Sequence, residues 1–539
     1  MAILSSTAGL LALPRRRERH FGDRVVWCFS DRARDVFSGF ETAARRGGER
    51  TALIFGDRRW TYAGLLAEVE RVASGLAARG VRAGDHVALL LRNRPEFVVL
   101  FYALMRVGAV AVPMDPRLQG PEIAHVLSNS GARLLLHDAE LADRLPASVA
   151  ADGVAAVAVP DAAMLFPETV RGGTAPPHVA AEEDAALILY TSGTTGRSKG
   201  AVITHLNVAH SAIHHCGNLG LDQEDRSLIA VPLGHVTGLI CGVIAPLWTG
   251  GTLILLPHFK AREFLAAAAA LRMTYTIMVP AMYSLCLRVE DIDAYDLSAW
   301  RLGHFGGSPM PEATVAALAR RFPGLTLVSG YGATETCSPS VMTPVGLGPQ
   351  PADAVGKPLP CAELAVVDPE TGREMPVGEA GEIWVRGPMV SPGYWRDPQA
   401  TAQSFVAGFW RSGDIGRVDT DGNVHVCDRL KDVINRGGYK IYSAEVEGVL
   451  AQLPGLVEAA LVGRPDPVLG ERVHAFVSVA APIAEAELTA YCAARLSDYK
   501  VPETWTITTE PLPRNSTGKL AKKDLRALAA AAGAPPSPQ

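Results

Sequence analysis

From about residue 50 onward, helical and extended periodicities alternate along the chain, and the extended runs are apolar throughout instead of at every second residue. Strands of that kind are buried on both faces, which is the condition of a parallel sheet covered by helices. After Thr61, a plausible N-cap, Leu65, Leu66, Val69, Val72, Ala73, Leu76 and Ala77 recur at helical spacing and Gly80 supplies a stop. A strand over Val87–Leu91, a helix over Glu96–Val107 and a short strand over Ala109–Pro113 follow. The rhythm continues to about residue 360, with strands at Leu187–Tyr190 and Leu253–Pro257 and a helix at Phe264–Leu271. Beyond it, Ala362–Val367 and Glu382–Arg386 are short runs between Pro, Gly and Asp turns, a texture that predicts a smaller antiparallel, barrel-like region. The fold class expected is α/β: a large N-terminal domain over residues 1–428, of helix-covered, mostly parallel sheets, then a small α+β C-terminal domain over 432–528. Residues 1–45 read as a variable extension, and the Ala- and Pro-rich stretch 529–539 as a frayed tail.

A chain of 539 residues is expected to form more than one domain. Its net charge of -5 argues against a general affinity for nucleic acid. The eight cysteines are scattered without a CxxC pair, which suits reduced thiols. Residues 8–13 are apolar but brief, and Arg15-Arg16-Arg17 follows them, the reverse of a secretory signal; the arginines read as solvated. No run reaches the ~20 apolar residues of a membrane span. A soluble, cytoplasmic protein is the expectation.

The segment Thr191-Ser192-Gly193-Thr194-Thr195-Gly196-Arg197-Ser198-Lys199-Gly200 follows directly on an apolar strand. Glycines let backbone N–H groups wrap an anion, hydroxyls add donors, and Arg197 and Lys199 add positive charge, so a polyphosphate is the natural guest. It is not a Walker A loop, because Gly200 follows the lysine.

In its order of residues the segment resembles the signature loop of the adenylate-forming superfamily, in its acyl-CoA synthetase branch, and further motifs of that family appear in order from about residue 50 to 525. Tyr331-Gly332-Ala333-Thr334-Glu335 is similar to the motif whose aromatic ring stacks on adenine, whose Thr binds the α-phosphate and whose Glu holds Mg²⁺. Gly306-Gly307-Ser308-Pro309 resembles the other wall of the adenine slot. Asp414 matches the aspartate that accepts both ribose hydroxyls, and Arg429 the arginine that reaches ribose or phosphate. Lys431 falls at the family hinge, 429–431, about which a mobile C-terminal domain rotates. Lys519, in Ser516-Thr517-Gly518-Lys519, matches the lysine that bridges carboxylate and α-phosphate oxygens during adenylation. The resemblance thus implies Thr191, Ser192, Gly193, Thr194, Thr195, Gly196 and Lys199 for phosphate, and Gly307, Ser308, Pro309, Tyr331, Gly332, Thr334, Asp414, Arg429, Lys431 and Lys519 for the nucleotide. It implies Glu335 for the metal and Lys519, Thr334, Glu335 and His235 for catalysis.

Two departures are conservative: Ser198 stands where proline is commonest, and Pro513-Arg514-Asn515 replaces Pro-Lys-Thr. His235 matches a gate between the ATP and acyl pockets. His235, Val236, Met282, Gly306, Gly332 and Cys337 are the acyl-pocket candidates, and the stretch 235–247 carries no acid to pair with a substrate ammonium, which argues against an amino acid. Gly437 and Gly438 are expected to face CoA. His205, His210, His214 and His215 look like a metal cluster, but no further ligands complete it, and structural roles are expected. The activity implied is carboxylic acid–CoA ligation through an acyl-AMP, with ATP and CoA as co-substrates. The alternatives are an acyl-AMP ligase that loads a carrier protein, and a non-catalytic acyl- or adenylate-binding protein. A homodimer is compatible with the sequence.

Overall fold

The computed structural model describes residues 7–151, 153–160, 178–191, 197–348, 350–351, 353–514 and 520–532. Contacts divide the chain into two compact units, Met1–Leu364 with Trp384–Arg411, and Ala365–Ile383 with Ser412–Gln539. The division therefore falls at other positions than the 428/432 break expected from sequence.

The first unit is built on two sheets. One has six strands in the order Lys199–Thr204, Ala185–Thr191, Val110–Pro113, His86–Leu90, Leu134–His137 and Ala155–Ala158. Only its first pair is antiparallel. The other has nine strands and a parallel centre that includes Arg226–Ile229, Tyr275–Met278, Leu302–Gly306 and Thr326–Ala333. The alternation read from sequence is present: Thr61 Oγ1 accepts from the Gly64 N–H at the head of the helix Tyr62–Ala78, and Gly80 takes a left-handed φ of +89° just past its end. The helix Pro95–Val107 is almost wholly buried, as a connection between covered strands must be.

The helix His205–Leu219 is buried at every residue. A helix apolar all round would need nothing further, but this one carries four histidines, and each finds its own partner. His205 Nδ1 accepts from the Val36 N–H, and His210 accepts from Phe29 N–H while donating to the Leu206 carbonyl. His214 bonds the Pro360 carbonyl and His215 the Tyr275 hydroxyl. Burial pushes His205 and His214 down to about 4 and His210 to about 3, so these rings are neutral struts.

The N-terminal segment is built into this unit. Arg15–His20 and Arg24–Phe29 form an antiparallel hairpin, and Leu10, Phe29, Val36 and Phe40 are core residues. Arg15, Arg16 and Arg17 are exposed, as expected. Arg32 ties the hairpin down, with its guanidinium 2.7 Å from both Glu18 and Glu182.

Residues beyond 360 form a small five-stranded sheet, in which Phe405–Val406, Phe409–Val418 and Val424–Arg429 pair antiparallel. In the second unit a further sheet is made of Ile434–Arg436, Tyr439–Ile441, Leu456–Asp466, Gly470–Val479 and Thr504–Thr508, packed with helices that include Ser443–Leu450 and Lys522–Ala532. One correction concerns the tail: the chain is not frayed from Ala529, because the last helix runs on to Ala532 and Ala529 packs with Ala460, Val462, Phe476 and Leu525. Among the described residues no helix is long and apolar enough to cross a membrane, and all eight cysteines are free.

Hydrogen bonds from Arg32 hold the Glu18 carboxyl down to about 2, against an ordinary 4.5. A carboxyl depressed on folding stabilises above its unfolded pKa and loses that contribution as pH falls through the folded one. Glu18→Gln should therefore lower the thermal midpoint at pH 7, and the gap to the parent should narrow between pH 4.5 and pH 3. A gap constant over that range would show that the Glu18–Arg32 pair contributes nothing.

Candidate active site

Sequence-selected residues of the first unit lie at the carboxyl ends of parallel strands, where open α/β sheets bind ligands. His235 follows Arg226–Ile229 and Gly307-Ser308-Pro309 follows Leu302–Gly306, while Asp115, not selected from sequence, follows Val110–Pro113. Gly306 registers with Gly330, so this turn lies beside Tyr331, one residue on. The turn needs glycine at 307, where φ is +79°.

Thr334 and Glu335 sit in a single tight turn after Thr326–Ala333, and the chain returns antiparallel as Ser338–Met342. Cys337 and Ser338 both take positive φ, +50° and +105°, backbone strain of the kind held in place at functional sites. Two hydrogen bonds hold the turn: the Ala333 N–H donates to Thr336 Oγ1, and the Thr336 hydroxyl donates to the Ser338 carbonyl. The result is a buried Glu335, only 7% exposed.

Its hydroxyl donor was missed in the sequence. Tyr394 donates to Glu335 Oε1 at 2.7 Å, and Lys199 Nζ lies 5.0 Å from the centre of the same tyrosine ring. Tyr394 is placed there by backbone. The segment 391–395 adds to the strand Lys199–Thr204 through Val202 N–H to Gly393 O and Trp395 N–H to Gly200 O, and the Ser391 N–H donates to the Glu335 carbonyl. Asn207 holds the Pro388 and Val390 carbonyls, and Arg24 of the N-terminal hairpin holds those of Ser391 and Pro392. The only signal for this in the sequence is the tripeptide Gly393-Tyr394-Trp395, which states no partner.

The phosphate-loop segment is anchored at both ends. Thr191 pairs with Lys199 and Tyr190 with Gly200 across the hairpin, and His125 Nε2 bonds the Ser198 carbonyl. Gly200 is buried against Ile188 and the Tyr190 ring, where a β-carbon would collide. A cleft of about 360 Å³ beside it is lined by Arg197, Lys199, Arg396 and His125 among others, a cationic surface. Ser192, Gly193, Thr194, Thr195 and Gly196 lie outside the described residues.

His235 Nε2 is 2.6 Å from Asp115 Oδ2, and Arg117 bonds the same carboxylate. Burial raises the Asp115 pKa, but the hydrogen bonds from His235 and Arg117 outweigh it and hold the carboxyl well below the usual range. The half-exposed His235 is thus fixed between the two sheets by an ionised partner that sequence reading did not find. Val236 opens a π-helix, Thr237–Ile244, a rare form that recurs at functional sites. Met282 and Cys337 are buried, and Gly332 is packed so closely on the Ser338 carbonyl that any side chain would clash.

In the second unit Asp414 faces Arg429 across an antiparallel pair, with 2.7 Å between Oδ1 and Nε. Lys431 sits in the short turn Leu430–Asp432; burial lowers its pKa, and Arg526 from the last helix bonds its carbonyl and pairs with Asp432. Gly437 and Gly438 are the two turn residues of a hairpin, Arg436 opposite Tyr439, both at positive φ. A two-residue turn of that kind favours glycine at both positions. Lys519 lies outside the described residues; Arg514 and Leu520, which flank its motif, pair in an antiparallel bridge. Lys522 then docks the last helix on Glu447 at 2.7 Å.

Set against known proteins, residues 40–395 match the family described as AMP-binding enzyme, and residues 445–519 match the AMP-binding enzyme C-terminal domain. A feruloyl-CoA synthase of an Amycolatopsis species is 38% identical over 90% of this chain and 96% of its own. The long-chain-fatty-acid–CoA ligase FadD13 of Mycobacterium tuberculosis is 35% identical over 87% of this chain and 93% of its own. The solved O-succinylbenzoate coenzyme A synthetase of Bacillus subtilis, in complex with ATP and magnesium ion, superposes with a TM-score of 0.81 at 32% identity, over 92% of this chain and 99% of its own.

The seat of His235 gives a packing test. A β-carbon on Gly234 would overlap the backbone of Met114, next to Asp115, where no flexible side chain can yield. Gly234→Ala should cost about 1–3 kcal/mol in chemical unfolding. It should also shift the His235 imidazole resonances. An unchanged midpoint and unchanged resonances would contradict this packing.

Proposed function

Because the chain belongs to the AMP-binding enzymes, we propose that it joins a carboxylic acid to a thiol through an acyl-adenylate: acid and ATP give acyl-AMP and pyrophosphate, and the CoA thiol then displaces AMP. The observation that carries this reading is Lys199, Tyr394 and Glu335 in one connected group at the strand ends, a cation and a carboxylate held on a shared ring beside a loop rich in donors. CoA is favoured as acceptor because the relatives named above are CoA synthases and ligases.

The residues divide the work. The loop from Thr191 to Lys199 takes the β- and γ-phosphates with backbone N–H groups and hydroxyls. Tyr331 and the turn Gly307-Ser308-Pro309 take the adenine, Thr334 the α-phosphate, and Asp414 and Arg429 the ribose. Glu335 fits a magnesium ion: it offers one oriented carboxylate and leaves the other coordination positions to phosphate oxygens, the usual manner of Mg²⁺–nucleotide sites. When bound, that ion neutralises charge on the leaving pyrophosphate. The acid attacks already ionised, so no strong general base is required, and Lys519 offsets the repulsion between carboxylate and α-phosphate. His235, held by Asp115, stands as the gate toward Val236, Met282, Gly306, Gly332 and Cys337, the proposed acyl wall. The hinge at 429–431 and the CoA-facing role of Gly437 and Gly438 belong to the same proposal.

Acid-dependent pyrophosphate release with Mg·ATP across a panel of acids tests the first step, and CoA-dependent AMP release tests the second. Release without any CoA dependence would favour a carrier-protein thiol as acceptor. Lys519→Ala should reduce adenylation by about 100-fold or more, the scale of losing an oriented charge donor. Thioester formation from supplied acyl-AMP should fall far less, and equal losses in both half-reactions would contradict the role given to Lys519. Tyr394→Phe should raise the Mg²⁺ concentration needed for half-maximal adenylation and leave the KM for the acid unchanged; a change confined to the acid would remove Tyr394 from the metal end.

A further inference from the structure

Behind the proposed acyl wall lies a group of polar side chains with nothing to bond. His304 is fully buried on the strand Leu302–Gly306, and neither ring nitrogen has a hydrogen-bond partner. Its ring centre is 5.0 Å from that of His215 on the buried helix, whose Nε2 bonds Tyr275 while Nδ1 is also unpartnered. Buried polar groups are nearly always satisfied, so a pair with three open positions calls for a guest that supplies them.

The position of the pair says which guest. His304 and Gly306 share one face of the strand, and the His304 ring lies over Gly330, opposite Gly306, where a β-carbon would collide with His304 Nε2 and crowd Pro339. His304 thus lies on the same face as Gly306, two residues or about 7 Å behind it. The surrounding elements are His205–Leu219, Thr237–Ile244, Tyr275–Met278, Leu302–Gly306, Thr326–Ala333 and Ser338–Met342, and none carries Asp, Glu, Lys or Arg. Burial pushes His304 down to about 3 and His215 in the same direction, so both rings are neutral. A neutral imidazole offers one donor and one acceptor, the complement of a hydroxyl. A second carboxylate would be buried there without a cation to pair with.

We propose that His304, backed by His215, forms the polar end of the acyl slot, and that this chain selects acids bearing an uncharged hydroxyl about 7–10 Å from the carboxyl. The proposal rests on the adenylation reading above and adds the class of acid to it.

Pyrophosphate release with Mg·ATP is measured for cinnamic, 4-hydroxycinnamic and 4-carboxycinnamic acid, and for octanoic and 8-hydroxyoctanoic acid. The expected kcat/KM is at least about tenfold higher for a hydroxy acid than for its parent, since a site built to bond a hydroxyl rejects the analogue without it. The 4-carboxy acid should be the poorest of the aryl set. His304→Leu should bring the hydroxy-to-parent ratio to about one while turnover of the parent acid and the KM for ATP persist, and His304→Asn should retain part of the preference. If His304→Leu does not fold, the parent protein's own ratios still decide the matter. Ratios near one in the parent protein, or ratios unmoved by His304→Leu, would overturn the proposal and leave His304 to internal water. Release with no acid at all would instead sink the adenylation reading, and this proposal with it.

Discussion

The backbone pairing of residues 391–395 with the strand Lys199–Thr204 is the contact on which the candidate site depends. The strand leaves the phosphate loop, and Glu335 ends the turn after the strand that carries Tyr331. Through the added segment, Tyr394 lies under Lys199 and donates to Glu335. The arrangement also answers a polar demand, because a carboxyl buried to this depth needs hydrogen-bond donors. The same segment is gripped by Asn207 from the buried helix and by Arg24 from the N-terminal hairpin. The N-terminal hairpin therefore belongs to the architecture of the candidate site, although nothing in its composition marks it so.

A second constraint comes from glycine. Gly306, Gly330 and Gly332 stand where neighbouring backbone or a histidine ring comes too close for a side chain. They let two parallel strands and the returning antiparallel strand approach one another closely in a packed interior. Gly307 serves differently, through its positive φ.

Much of the fold was legible in the sequence because parallel, covered strands leave continuous apolar runs, and helices such as Tyr62–Ala78 announce their ends through Thr61 and Gly80. The end of the last helix was misread because alanine-rich sequence is equally compatible with fraying, and only the packing of Ala529 decides it. Within the site, motif residues were legible from their local order. Tyr394, Asp115 and His304 were not, because each acts through a partner distant in the chain: Glu335, His235 and His215. Gly437 and Gly438 also serve a hairpin turn, a structural role that their local sequence order did not reveal.

The central claim is that the acid is activated as an adenylate on this chain. Its most direct test is a single-turnover experiment with ATP labelled at the α-phosphate, an acid that supports turnover, and CoA added after a delay. The account predicts an enzyme-bound acyl-AMP that forms before CoA is present and decays at the rate at which acyl-CoA and AMP appear. Acyl-CoA formed with ADP and phosphate, or formed with no adenylate preceding it, would contradict it.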